Sequence, residues 1–338
     1  MSLSPSVGTA PDGPGTGSVP VVGARAGMAT GTGSAHAKFI LIGEHAVVFG
    51  RPAVGMPLPR MWVRADARLE PGPLRLETDS YSGALDEALS SFDALRAAIE
   101  HALDFFGQPQ RDVVVTVHGD IPIGRGLGSS AAVAHAIVES IRDLFDAPLD
   151  EEQRFELVQS AERVAHGNPS GLDARATREP QPFLFEHGRV TRIDVDFAGA
   201  FVIADTGIRG STKTAVGDVA AFSRANPERS AALLAELEQL TRDAAVDLAD
   251  DRREKLGTRM TRAHRILNEL GAGHESIDRL VDAAVAAGAL GAKLTGGGQG
   301  GCVVALVRTA GEAQRVVAAL TAAGAVTCWV VTPGGETP

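Results

Sequence analysis

Short β-branched and aliphatic runs alternate along this chain with longer stretches whose apolar residues recur every three or four positions, the periods of strands and of one-faced helices. Ala37-Lys38-Phe39-Ile40-Leu41-Ile42 predicts a strand, and Gly43-Glu44-His45 a turn before a second apolar run, Ala46-Val47-Val48-Phe49, with Gly50-Arg51-Pro52 closing a hairpin. Arg60 to Glu70 and Leu74 to Glu77 read as strands. Ser91 to Phe106 reads as an amphipathic helix with Leu95, Ile99, Leu103 and Phe106 on one face. A strand over Asp112 to His118 is followed by a helix carrying Ala132, Val133, Ala136, Ile137 and Ile141, then by another over Glu151 to Val164. Phe183-Leu184-Phe185 pairs with Val190 to Ile193 as a hairpin, and Ala200 to Asp205 is a buried strand. A glycine-rich loop from Thr206 to Thr212 enters a helix near Lys213, and helical patterns occupy about 226–247, 252–270 and 275–287. Cys302 to Val307, a helix from about Glu312 to Ala322, and Val326 to Val331 complete a strand-helix-strand unit.

The chain is organised around Pro122-Ile123-Gly124-Arg125-Gly126-Leu127-Gly128-Ser129-Ser130, which lies between a predicted strand and a predicted helix. Alternate glycines let backbone N–H groups turn toward one point, and the two serines fall where a helix start leaves donors unpaired. Such a start suits a phosphate. A glycine turn with a serine cap is the competing reading. The usual nucleotide motifs do not fit, because the P-loop lysine and the third glycine of G-x-G-x-x-G are both missing.

Composition narrows the field. The 338 residues, 44% of them hydrophobic, suffice for two ordinary domains, and no apolar stretch is long enough to span a bilayer. The reading is therefore a cytoplasmic protein with no membrane partner. A net charge of −10 argues against nucleic acid, and 4% aromatic residues leave no stacking platform for single strands. Cys302 and Cys328 sit in apolar runs without ligand spacing, so both are expected as buried thiols. Residues 1–33 are rich in Gly, Pro, Ser and Thr and are expected to form a disordered tail.

Three polar clusters remain. Lys38, Glu44 and His45 flank the first strand, and taken alone could be a solvated edge and a polar turn. Glu162 ends a helix that Gly167-Asn168-Pro169-Ser170-Gly171 must break, so Glu162 and Asp173 can face one space. Lys293-Leu294-Thr295-Gly296-Gly297-Gly298-Gln299-Gly300-Gly301-Cys302 allows close backbone approach to a ligand or a neighbouring element, or forms a tight turn between strands.

Together these stretches resemble the mevalonate kinases of the GHMP kinase superfamily. Lys38 to Gly50 is similar to that family's first motif, and Pro122 through Ala132 to the second, Pro-x-x-x-Gly-Leu-Gly-Ser-Ser-Ala-Ala. Glu162 to Asp173 is similar to Gly-Glu-x-x-x-His-Gly-Asn-Pro-Ser-Gly-x-Asp, with Ala161 for the leading glycine. Lys293 to Cys302 is similar to the third motif, with Gly297 for alanine and Gln299 inside the glycine run, next to the phosphate loop. The resemblance implies an α+β, two-domain GHMP kinase fold. Its N-terminal domain, 34–195, would contain a left-handed β-α-β unit, and its C-terminal domain, 196–334, would be ferredoxin-like, with the active site between them.

It also implies phosphorylation of the 5-hydroxyl of (R)-mevalonate by ATP with Mg²⁺. Carried over by position, Asp173 is the base and Lys38 its cationic neighbour. Ser130 and Glu162 hold Mg²⁺. Pro122, Gly124, Gly126, Leu127, Gly128, Ser129, Ser130 and Ala131 bind ATP, while Lys38, Glu44, His45, Asp173 and Thr212 lie on the mevalonate side. The family's Arg-Asn-Thr before the substrate-side helix is Gly210-Ser211-Thr212 here, with an arginine at Arg209, so the carboxylate contact stays open. A homodimer is compatible with the sequence. The rivals are a GHMP kinase for another alcohol, and a binding protein of the same fold without turnover.

Overall fold

The protein is described here by a computed structural model covering residues 30–333; the expected tail over 1–29 lies outside these residues. Strand β1 (Thr30–Ile42) runs antiparallel to the long β2 (Ala53–Pro73). Thr30 to Gly33 thus belong to a strand, not to a tail. Their glycines serve clearance: a Cβ on Gly31 would lie 2.1 Å from Leu144 N, and one on Gly33 2.2 Å from Ala136 O, in the helix packed across β1.

The second apolar run, Ala46–Phe49, is a 3₁₀ turn rather than a strand. His45 (φ +59°) and Gly50 (φ +76°) bracket it in positive-φ conformations that curl the chain. The hairpin partner of β1 begins only at Ala53, so the apolar side chains of 46–49 face a turn. Strands β3 (Arg75–Thr78) and β4 (Tyr81–Ala84) and helix α1 (Asp93–Phe105) lead to β5 (Arg111–Gly119), which is parallel to β3.

Helices α2 (Ser129–Leu144), α3 (Glu151–His166) and the short α4 (Leu172–Ala176) follow. Asp150 and Gln153 form a reciprocal capping box that fixes where α3 begins. The hairpin β6 (Phe183–Glu186) and β7 (Arg189–Arg192) completes a seven-stranded sheet of order β4-β3-β5-β2-β6-β7, with β1 on the other edge of β2.

The second sheet is antiparallel, in the order β11-β8-β10-β9, from β8 (Ala200–Asp205), β9 (Gly291–Thr295), β10 (Cys302–Val307) and β11 (Thr327–Val331). Helices α5 (Thr212–Ala225), α6 (Pro227–Ala249), α7 (Arg253–Glu269) and α8 (Glu275–Ala286) fill the first crossover, and α9 (Ala313–Ala322) the second. With the four helices taken as one crossover, this is the β-α-β-β-α-β, ferredoxin-like succession.

One apolar core links the sheets. Phe39 of β1 meets Phe201 of β8 edge to face with centroids 5.5 Å apart. The Thr295 hydroxyl accepts from Ile40 N and donates to Ile40 O, each at 3.0 Å. Cys302 is buried, but Cys328 is only half-buried on the edge strand β11. Among the described residues no helix is long and apolar enough to cross a membrane.

Candidate active site

Two glycine loops, one from each sheet, meet backbone to backbone beside a cavity of about 320 Å³. The first connects β5 to α2. Gly124, Gly126 and Gly128 have φ of +72°, +78° and +75°, and Gly128 caps α2 without a side-chain acceptor or an acid in the first turn. Helix-start N–H groups left without a side-chain partner form an anion site. The second loop connects β9 to β10. A Cβ on Gly296 would lie 2.5 Å from Gly126 Cα, and one on Gly126 would lie 2.7 Å from Thr295 O. Only two bare backbones can approach so closely.

Lys38 reaches this junction from the middle of β1. It is almost fully buried, its backbone N–H donates to Leu127 O at 3.0 Å, and its ammonium donates to Gly126 O at 3.2 Å. Lys38 Nζ also stands 3.0 Å from Asp173 Oδ1, whose side chain stays about one-third exposed toward the cavity. Asp173 sits in the first turn of α4, behind Gly171 in the left-handed conformation, so the break after α3 returns the chain to face Lys38.

Glu162, at the end of α3, lines the same cavity. Burial, and after it the nearby Asp173 charge, push its carboxyl above the usual range, while His166 and a Ser130 hydrogen bond pull the other way. Its Oε1 is buried without a hydrogen-bond partner. A carboxylate oxygen left in that state suits a cation. Among the described residues no three His, Cys, Asp or Glu side chains form a metal cluster, so a cation here would also draw on hydroxyl, water or phosphate oxygens.

The opposite wall holds Glu44, His45 and Thr212. His45 Nε2–H donates to Gly297 O at 2.8 Å. Burial lowers its pKa and so favours the neutral ring, in which Nδ1 is an acceptor. Glu44 is buried and bonded to Lys293 of β9. Burial pushes the Glu44 carboxyl up and the Lys293 ammonium down, with the pair's attraction opposing both. Thr212 opens α5, pressed so closely on the second loop that a Cβ on Gly297 would lie 2.9 Å from Thr212 Cα. That contact accounts for glycine at a position where the resemblance expects alanine.

Of the expected phosphate-loop residues, Gly126 lines the cavity itself, while Leu127 and Ala131 are buried beneath the loop. Pro122, Gly124, Gly128, Ser129 and Ser130 belong to the loop and helix start beyond the cavity wall. Gln299 does not reach toward the first loop. Its side chain donates to Asp218 of α5, and its backbone N–H to Ala272 O.

Sequence reasoning gave no site role to Lys293, which it read only as the start of the third motif, or to Gln159 and Lys213. A lysine inside an otherwise apolar strand is a signal for a buried pair, and Lys293 is one. Gln159 of α3 donates to Pro169 O at 3.0 Å and pins the segment before Asp173. Nothing in its sequence context singles it out.

Comparison with known proteins agrees with this fold. Residues 93–177 match the GHMP kinases N terminal domain and residues 225–326 the GHMP kinases C terminal domain. The mevalonate kinase of Thermococcus sibiricus is 35% identical over 84% of this chain and 90% of its own length. That of Thermococcus gammatolerans is 33% identical over 86% and 92%. The crystal structure of L. major mevalonate kinase in complex with R-mevalonate superposes with a TM-score of 0.79 at 24% identity, covering 93% of this chain and all of that one. The chain belongs to the mevalonate kinase family of the GHMP kinases.

Proposed function

We infer that this kinase, acting in the cytoplasm, transfers the γ-phosphoryl group of ATP to the 5-hydroxyl of (R)-mevalonate. The observation that carries the catalytic assignment is the Lys38–Asp173 pair, 3.0 Å apart, where the cavity meets the Gly126 carbonyl. Phosphoryl transfer asks a protein chiefly to position groups and stabilise charge. A hydroxyl between this pair and the glycine loop has what it needs. Asp173 accepts its proton, and the Lys38 ammonium faces the oxygen that gains negative charge.

The first glycine loop and the start of α2, through Ser129, Ser130 and Ala131, cradle the phosphates. His45, Glu44 and Thr212 orient the alcohol from the other wall. Mg²⁺ fits Glu162, whose buried Oε1 lacks a partner, together with the Ser130 hydroxyl beside it. When bound, the cation would supply charge neutralisation at the phosphates.

Single-turnover phosphorylation by Asp173→Asn tests the reading. The rate should fall at least ~10²-fold, the lower end for a lost general base, while both substrates still bind. A rate within about threefold of the parent would remove Asp173 from the chemistry. Running phosphomevalonate and sugars beside mevalonate tests the substrate.

A further inference from the structure

The charged side chains that line the cavity are paired, with one exception. Lys38 faces Asp173, Glu44 is bonded to Lys293, and Glu162 Oε2 lies 3.8 Å from His166 Nε2. Lys213 also lines the cavity, on α5, and among the described residues it has no ion-pair or hydrogen-bond partner for its ammonium. It lies in the first turn of a helix that has no acidic residue there, where the helix dipole disfavours a cation. The side chain is exposed at the cavity mouth and solvated there, so it is free to meet an anionic group that enters.

The arginine nearest in sequence does not take this role. The Arg209 side chain lies along the first glycine loop, its carbons 3.6–3.8 Å from where a Gly124 Cβ would be, and it does not line the cavity. Gly210 N–H donates to Gly124 O at 3.0 Å, which holds the Arg209 segment against the phosphate loop, whereas Lys213, in the first turn of α5, lines the cavity.

We propose that Lys213 is the residue that binds the carboxylate of the alcohol substrate and so selects hydroxy acids over neutral alcohols. This rests on the reading of the cavity as the mevalonate site. The carboxylate would meet an ammonium without a competing acid, next to Thr212, while the far hydroxyl reaches Asp173. A charge-assisted bond of this kind adds roughly 10- to 100-fold in binding.

The test compares mevalonate with 3-methylpentane-1,3,5-triol, which keeps the reacting hydroxyl and replaces the carboxylate by an alcohol. In Lys213→Met, kcat/KM for mevalonate should fall roughly 10- to 100-fold, mostly through KM, while that for the triol changes little. Lys213→Arg should recover most of the discrimination, and Arg209→Met should leave the mevalonate-to-triol ratio unchanged. Equal losses on both substrates, or an unchanged ratio in Lys213→Met, would overturn the assignment, as would collapse of the ratio in Arg209→Met. Parent enzyme that phosphorylates neither compound would instead overturn the reading of the site, and this inference with it.

Discussion

Glu44 and Lys293 form a buried ion pair between the turn after β1 and strand β9, one partner from each sheet. Lys293 also donates to Leu294 O, whereas Glu44 Oε2 has no partner. Removing one member of a buried pair leaves an uncompensated charge, at a cost of about 3–5 kcal/mol, while replacing both can be nearly neutral. Lys293→Met should therefore lower unfolding stability by about that amount, and Lys293→Met with Glu44→Gln should recover much of it. Urea unfolding of the single and double variants measures the coupling. Additive losses would show that the two side chains do not act as a pair.

Gly128 leaves room for Lys38. A Cβ at that position would lie 3.0 Å from both Lys38 Cε and Cγ and 3.1 Å from Thr177 Cγ2, on a backbone with φ of +75°. Gly128→Ala should cost about 1–2 kcal/mol of stability for the left-handed conformation alone. Because the displaced atoms belong to Lys38, kcat at saturating ATP and mevalonate should also fall, by about 10- to 100-fold for a shift on the order of 1 Å. Weaker ATP binding with full kcat would mean that Lys38 keeps its place.

His135 gives the stability a defined pH dependence. It is buried in α2 and its Nε2–H donates to Ala174 O at 2.6 Å, next to Asp173; burial pushes its pKa down to about 3. Burial also lowers His36, His45 and His264. As pH falls below the ordinary value of 6.5, the unfolded chain takes up protons that the folded protein refuses. Stability therefore drops with falling pH, and for His135 the loss continues to about pH 3. His135→Gln should reduce the slope of unfolding free energy between about pH 5 and pH 6.5 by up to ~1.4 kcal/mol per pH unit. An unchanged slope would mean that His135 is protonated in the fold.

Strong periodicity made most elements readable, since β-branched runs such as Val113 to Val117 and the stripe in α2 became a buried strand and a buried helix face. Composition misled at two places. Glycine and threonine at 30–33 looked like tail, but there a helix lies against a strand. The apolar run 46–49 looked like strand, but the backbone conformations of His45 and Gly50, which periodicity does not encode, set it. Within the site, the motifs foreshadowed that Lys38, Asp173 and Glu162 would converge. The Lys293 partner of Glu44, the Lys213 ammonium and the Gln299–Asp218 bond depend on how the second sheet and α5 are laid against the first, and that register is a tertiary property.

The contact between Gly126 and Gly296 ties together the sequence changes that each half of the chain can accept. Each residue occupies the volume that a side chain on the other would need, so neither loop can be diversified while the other is held. A chimera that joins one half of this chain to the complementary half of a relative will then succeed or fail on whether these two loops match. Libraries aimed at new alcohols are better directed to α5 beyond Thr212, whose own Cα is packed against Gly297.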